Sequence, residues 1–234
     1  MIGHSTNDFQ LSIIVPVFNE IKLLPNFLAH LEQQSQKKQE IIVVDGGSTD
    51  GSLEFLKQWT QGKVIQSERG RAVQMNKGAA AASGEILYFV HVDSQLPKAF
   101  DHHLLQAAKD YDAGCFRLDF DKKNNWLKLA AAGSKWNHLL CRGGDQSLFI
   151  RVGIFFQLRG FDELYKVCED LNLIQKLYRT THFTVLPQVL ITSSRRFYQK
   201  GTVKLLFHFR VLHLMHWVGF APKLLWSYYQ RFVK

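Results

Sequence analysis

Three carboxylates, Glu20, Asp45 and Asp93, stand where short apolar, β-branched runs give way to polar turns. The runs are Leu11-Ser-Ile-Ile-Val-Pro-Val-Phe-Asn-Glu20, Ile41-Ile-Val-Val-Asp45 with Gly-Gly-Ser-Thr-Asp50 behind it, and Ile86-Leu-Tyr-Phe-Val-His-Val-Asp93. Alternating with helical segments, such runs read as strands of a parallel α/β sheet, and ligands bind beyond the carboxyl ends of those strands. Asp93 can hold a hard divalent cation on a diphosphate, because such a metal needs only one or two protein oxygens when substrate supplies the rest. Its alternative is to cap, with Ser94, the helix containing Pro97. Asp45 lies at a strand tip short of any cap position, and the two glycines after it let backbone approach a ligand closely. Asp50 and Ser48 read as helix caps, and His91 as a core or supporting histidine. Glu20 suits either a ligand or a first helical turn, where the helix dipole favours a carboxylate.

Two more groups complete the chemistry. Gly70-Arg71-Ala-Val-Gln-Met-Asn76-Lys-Gly78 puts an arginine at the head of an Ala-rich helix, and a helix N-terminus with an arginine suits a phosphate. Neither G-x-x-x-x-G-K-[ST] nor G-x-G-x-x-G follows a strand, which removes the main support for kinase-like and nicotinamide readings. Further on, Cys168-Glu169-Asp170 opens another helix, and Asp170 reads as a general base or as a dipole-favoured carboxylate.

The elements that must position these groups follow from periodicity. Strands are expected at residues 12–17, 41–45, 63–66 and 86–91, with helices at 21–34, 52–60 and 72–82 between them. That alternation implies a sheet covered by helices on its faces. After Asp93 the rhythm loosens into a helix at 97–108, a strand at 113–120, a helix at 126–140, a strand at 146–151, a turn at Gly160 and a helix at 170–179. A chain of 234 residues with 46% hydrophobic content supports one elaborated domain.

Cys115, Cys141 and Cys168 are odd in number and widely spaced, which speaks against a disulfide framework or zinc site. Together with a polar first ten residues lacking a secretory pattern, this predicts a cytoplasmic setting. Through Asp170 the chain carries 19 Lys and Arg against 20 Asp and Glu; after it, 10 against none. That tail interleaves Arg195, Arg196, Lys200, Lys204 and Arg210 with Phe197, Phe207, Trp217 and Trp226. Basic residues mixed with aromatics suit an anionic membrane surface, on the inner face of the cell membrane for a cytoplasmic chain, or a helix pair packed on the core. Polar groups at Lys204, His208, Arg210, His213 and His216 make residues 203–220 too polar for a bilayer span.

In order along the chain, Val-Pro16-Val-Phe-Asn-Glu20, Val-Val-Asp45-Gly-Gly-Ser-Thr-Asp50, Gly70 with Asn76 and Gly78, the Asp93 strand end and Cys-Glu169-Asp170 resemble glycosyltransferase family 2, and the wording around them a small bacterial subgroup of it. The resemblance covers about residues 11–196. It implies the Rossmann-like fold called GT-A, with a nucleotide-binding half at about 11–95, an acceptor half at about 96–196 and a helical segment at 197–234. It also implies an inverting, non-processive transfer of sugar from a nucleoside-diphosphate donor, UDP-sugar favoured, to a hydroxyl acceptor, which the tail suits to a lipid-linked one. By resemblance Pro16, Glu20 and Asp45 contact the nucleoside, Asp93 binds Mn2+ or Mg2+, and Asp170 is the catalytic base with Glu169 beside it. Asp145 and Gln146 line the acceptor side. Two departures stand out: His91 replaces the first Asp of the usual D-x-D, and Met75 the Arg before the Asn. Arg71, or Arg195 and Arg196, are the candidates for the missing positive charge. The rival readings are a nucleotidyltransferase and a binding protein whose basic tail engages nucleic acid; three strand-end carboxylates argue against the latter, and no nucleic-acid partner is expected.

Overall fold

The computed structural model describes residues 10–143 and 146–234. Its first half alternates β1 (Leu11–Val17), α1 (Leu24–Gln34), β2 (Glu40–Asp45), α2 (Ser52–Gln58), β3 (Lys63–Gln66), α3 (Arg71–Ala80) and β4 (Ile86–Phe89). These strands lie parallel in the order β3-β2-β1-β4. Every residue of β1 and β2 is buried, as expected of strands covered on both faces. Period-two geometry divides their side chains. Ile13, Val15 and Val17 pack with Leu24, Phe27 and Leu31 of α1, whereas Ile14, Ile42 and Val44 pack with Ala72, Met75 and Ala79 of α3. Helix α3 lies so close to the sheet that a Cβ on Gly78 would sit 2.5 Å from the Ile14 side chain. Pro16 is tolerated inside the sheet because β1 outruns its neighbour: the last β4 pairing is Ile14 with Phe89, so no ladder bond needs a donor from Pro16 on that side.

The second half contains β5 (Ser94–Gln95), α4 (Phe100–Asp110), β6 (Ala113–Phe120), α5 (Asn125–Gly133), β7 (Leu148–Arg151), α6 (Val152–Gln157), α7 (Glu169–Thr180) and β8 (Phe183–Thr192). The sheet continues β4-β7-β6-β8-β5, with β7 antiparallel to both β4 and β6, β8 parallel to β6, and β5 antiparallel to β8. The result is one mixed, mainly parallel sheet with helices on both faces, as the motifs imply. The basic tail forms α8 (Arg195–Lys200), α9 (Thr202–Val218) and α10 (Pro222–Phe232). It packs against the end of β6 and helices α5 and α7 through a third apolar cluster, in which Leu205, Leu212 and Leu225 meet Phe120, Leu127 and Leu171. Each such buried leucine contributes about 1.5–3 kcal/mol.

Several elements depart from the periodicity. Strand β4 ends at Phe89 instead of residue 91, and Ser94 opens β5 instead of capping a helix; α4 starts later, at Phe100, after Ala99 adopts a left-handed φ of 55°. Helix α5 stops at Gly133, seven residues short of the expected end, because the buried Ser134 hydroxyl turns back to the Ala131 and Leu118 carbonyls. Strand β8 escapes the periodicity because Pro187 and Gln188 interrupt its apolar run. They form a bulge, the pairing jumping from Phe116 with Leu186 to Arg117 with Val189. Helix α6 is too short to show a period.

Candidate active site

The turns after β1 and β2 are zipped into one unit. Ser48 Oγ accepts from the Asn19 amide at 2.9 Å, Asn19 Oδ1 from the Thr49 amide at 2.8 Å, Ser52 Oγ from the Glu20 amide at 3.0 Å and Asp50 Oδ2 from the Ile21 amide at 3.0 Å. Asp50 also accepts from the Ser52 amide and hydroxyl, so its work is to tie these turns together. Burial pushes its pKa up, but the hydrogen bonds from Ser52 and Ile21 together outweigh that and hold it below the usual carboxylate range. Gln74, buried in α3, clips the strand ends from below, its Nε2 donating to the Val17 and Val44 carbonyls at 2.8 Å each.

Asp45 is fully buried at the end of β2. Its Oδ2 accepts from the Gly47 and Ser48 amides at 2.9 and 3.0 Å, while Oδ1 has no hydrogen-bond partner among the described residues. An unmatched buried carboxylate oxygen costs stability unless a donor reaches it, which is what a binding residue provides. Pro16 is buried in β1 one residue before that strand's end.

Glu20 shows how the other groups converge. Its carboxyl is pushed up from the usual value first by burial and then by Asp93, with Asp50 adding in the same sense; Arg195 and Arg71 pull it down. Glu20, Asp93, Arg71 and Arg195 therefore occupy one field at the carboxyl end of the sheet. Arg195 gets there through β5: Ser94 pairs with Thr192, which sets the Asp93 turn against the residues leading into α8. Ser194 fixes that exit by donating its amide and hydroxyl to Asp121 Oδ1 at 2.8 and 2.6 Å. Arg196 turns the other way, donating to the Tyr229 hydroxyl at 2.7 Å and covering the Phe209 and Tyr229 rings. Of the three candidate arginines, Arg71 and Arg195 share the site, and Arg196 staples the tail.

Arg71 opens α3, and its Nη1 lies 3.8 Å from Oε1 of the buried Glu169, which opens α7. Asp170 follows in the same first turn. Both carboxylates, after burial, push up the thiol of Cys168, which takes a left-handed φ of 63° to start the helix. Asn76, a family-motif residue without an assigned contact, holds the loop before α7: its Nδ2 donates to Phe161 O at 2.8 Å and its Oδ1 accepts from the Phe161 amide at 3.0 Å.

Gln146, expected to line the acceptor side, is buried, its Oε1 accepting from the Gly143 amide at 3.3 Å and its Nε2 without a partner among the described residues. Asp145 lies outside the described residues. Sequence reasoning passed over the structural work of Gln74 and Asn76 and left Arg195 and Arg196 undivided; the contacts of Arg196 with Tyr229 and Phe209 separate those two. Among the described residues no group of three or more His, Cys, Asp or Glu side chains forms a self-sufficient metal site. The exposed Asp93 with half-buried Glu20 in its field does fit a cation that brings its own phosphate oxygens, since a cation there relieves the mutual repulsion that raises Glu20.

Residues 12–159 match the sequence model of Glycosyl transferase family 2. Over 109 residues the chain is 33% identical to glycosyltransferase GlyG of Streptococcus pneumoniae, covering 44% of this chain and 36% of that protein. The chain spans about half or less of the length of the first curated relatives it matches. Its fold is shared with S. aureus TarS 1–349 in complex with UDP (TM-score 0.65, 21% identity, 87% of this chain and 66% of that one). It is also shared with the mannosyltransferase PcManGT from Pyrobaculum calidifontis in complex with GDP-Man and Mn2+ (TM-score 0.63, 20% identity, 87% and 61%).

Proposed function

The chain belongs to glycosyl transferase family 2, and from that membership we propose that it is an inverting, non-processive glycosyltransferase moving a sugar from a nucleoside-diphosphate donor to a hydroxyl acceptor. One observation supports the reading: Arg71, at the head of α3, meets the buried Glu169 at 3.8 Å with Asp170 next to it, while the Ser94–Thr192 pairing sets the Asp93 turn against the segment that leads to Arg195. Donor-binding charge and a candidate base thus stand side by side.

Asp45, with its unmatched Oδ1, and the rigid turn around Glu20 receive the nucleoside, next to the strand end shaped by Pro16. Arg71, Arg195 and the amino end of α3 oppose the charge that gathers on the departing diphosphate, which lowers the barrier where charge develops. A divalent cation held by Asp93, with Glu20 close by, would neutralise further diphosphate charge. Asp170 accepts the proton of the attacking hydroxyl late in the reaction. That hydroxyl approaches the anomeric carbon from the face opposite the leaving group, which inverts the centre. Gln146 and Asp145 line the acceptor side, and the basic aromatic tail suits a lipid-linked acceptor.

Thermal unfolding against UDP, GDP, CDP and TDP, with and without Mn2+, tests the reading. A ligand at a hundred times its dissociation constant stabilises by about 2.7 kcal/mol. A shift with one diphosphate, lost in Asp93→Ala, supports it and names the donor base; UDP is the expected partner, one of the two solved neighbours holding UDP and the other GDP-Man with Mn2+. No shift with any diphosphate would overturn it.

A further inference from the structure

Helix α9 is apolar on two opposite faces. Leu205, Leu212 and His216 are buried against the domain, while Val203, Phe207, Leu214 and Val218, spaced by four, seven and four residues, form a stripe more than half exposed. A helix with an apolar outer stripe needs something to cover it. The neighbouring α5 has the same character: Leu127 is buried, and Trp126 and Leu129 are 54% and 67% exposed, with Trp136 at 71% just beyond the helix.

The two helices lie side by side. Asn124 Nδ2 donates to Thr202 Oγ1 at 2.8 Å at their beginnings, and Arg210 Nη1 donates to the Leu140 carbonyl at 3.2 Å further along. Their buried faces share one apolar cluster, so the two exposed stripes both face outward. Lys128, Lys204 and Arg210 are exposed among these apolar residues. No acidic residue follows Asp170 anywhere in the chain. Among the described residues no helix is long and apolar enough to cross a membrane.

We propose that α5 and α9 together form a docking face that lies in the headgroup region of an anionic bilayer, Trp126, Leu129, Phe207 and Leu214 entering the acyl boundary and the three basic side chains meeting lipid phosphates. Charge selects this occupant: a face with cations and no anions on its α9 half attracts an anionic surface and repels a second copy of itself. Docking is independent of the sugar-transfer reading.

The test is flotation of the full chain with vesicles of equal parts phosphatidylglycerol and phosphatidylethanolamine, and with phosphatidylcholine vesicles. The wild type should float with the anionic vesicles, release at high salt, and show a blue shift of tryptophan emission. Phe207→Ser with Leu214→Ser, and separately Lys128→Glu with Lys204→Glu, should each lower the partition at least about tenfold while thermal unfolding stays unchanged. Equal flotation by both double variants, equal uptake by phosphatidylcholine, or no flotation of the wild type overturns the proposal. So does a wild-type dimer in sedimentation velocity that the Phe207→Ser, Leu214→Ser variant dissolves while vesicles leave the wild type unbound.

Discussion

Arg71 and Glu169 face each other at 3.8 Å, the first residue of α3 against the first residue of α7. Two helix amino ends from opposite halves of the domain therefore meet at one point. The α3 end carries Arg71 into the field of Glu20, and the α7 end carries Glu169 and Asp170. Charge at one end is felt at the other.

Asp170→Asn should lower the transfer rate about 10²–10⁴-fold, the usual worth of a general base. Titration calorimetry with the nucleoside diphosphate should show unchanged affinity. Loss of binding together with transfer would remove Asp170 from the role of base.

Arg195→Ala and Arg196→Ala should separate cleanly. The first removes a cation from the Glu20–Asp93 field and should raise KM for the donor at little cost in melting temperature. The second removes the hydrogen bond to Tyr229 and the cover over Phe209, and should lower the melting temperature with donor affinity kept.

Glu20→Gln should stabilise the ligand-free protein at neutral pH. Burial and then Asp93 raise the folded-state pKa of Glu20 above 4.5, so its ionised form is the less tolerated one in the fold. The wild type loses stability relative to the variant as pH rises from about 4.5 through the raised value, and below 4.5 the gap closes. Melting curves of both proteins at pH 4 and pH 7 measure this; an equal gap at both would refute the shift.

Gly46→Ala should destabilise by about 1–3 kcal/mol, because the new methyl would lie 2.9 Å from the Gln74 side chain that clips β1 to β2. Gln74→Ala should destabilise in the same sense by removing the side-chain donor shared by the Val17 and Val44 carbonyls, although Val17 keeps its bond from the Gly46 amide. Their double variant should cost less than the sum, since one clip is lost either way. Urea denaturation of the four proteins checks the coupling.

How much of this was legible depended on whether a signal was local. The first sheet half reads directly because β1 and β2 are nearly continuous apolar runs and α1 and α3 carry clear periods. Glu20, Asp45 and Asp93 are visible because each ends such a run. The later strands read unevenly: β6 matches its expected bounds, whereas β8 is split by Pro187. Arg195 and Arg196 are indistinguishable as neighbours in sequence, and only the contacts of Arg196 with Tyr229 and Phe209 in the tail tell them apart. Gln74 looks like a helix-face polar residue until the strand ends it bridges are seen.

The bulge at Pro187 and Gln188 has an arithmetic of its own. From Phe116 to Arg117, β6 advances one residue while β8 advances three, so the insertion is even. Strand faces alternate with a period of two, and an even insertion leaves parity untouched: Leu190 and Thr192 still point inward. Deleting both residues would preserve that parity and shorten only the loop. Deleting either one alone would leave an odd, one-residue insertion, which the pleat must absorb as a sharper local kink beside Arg117 for Leu190 and Thr192 to keep their partners.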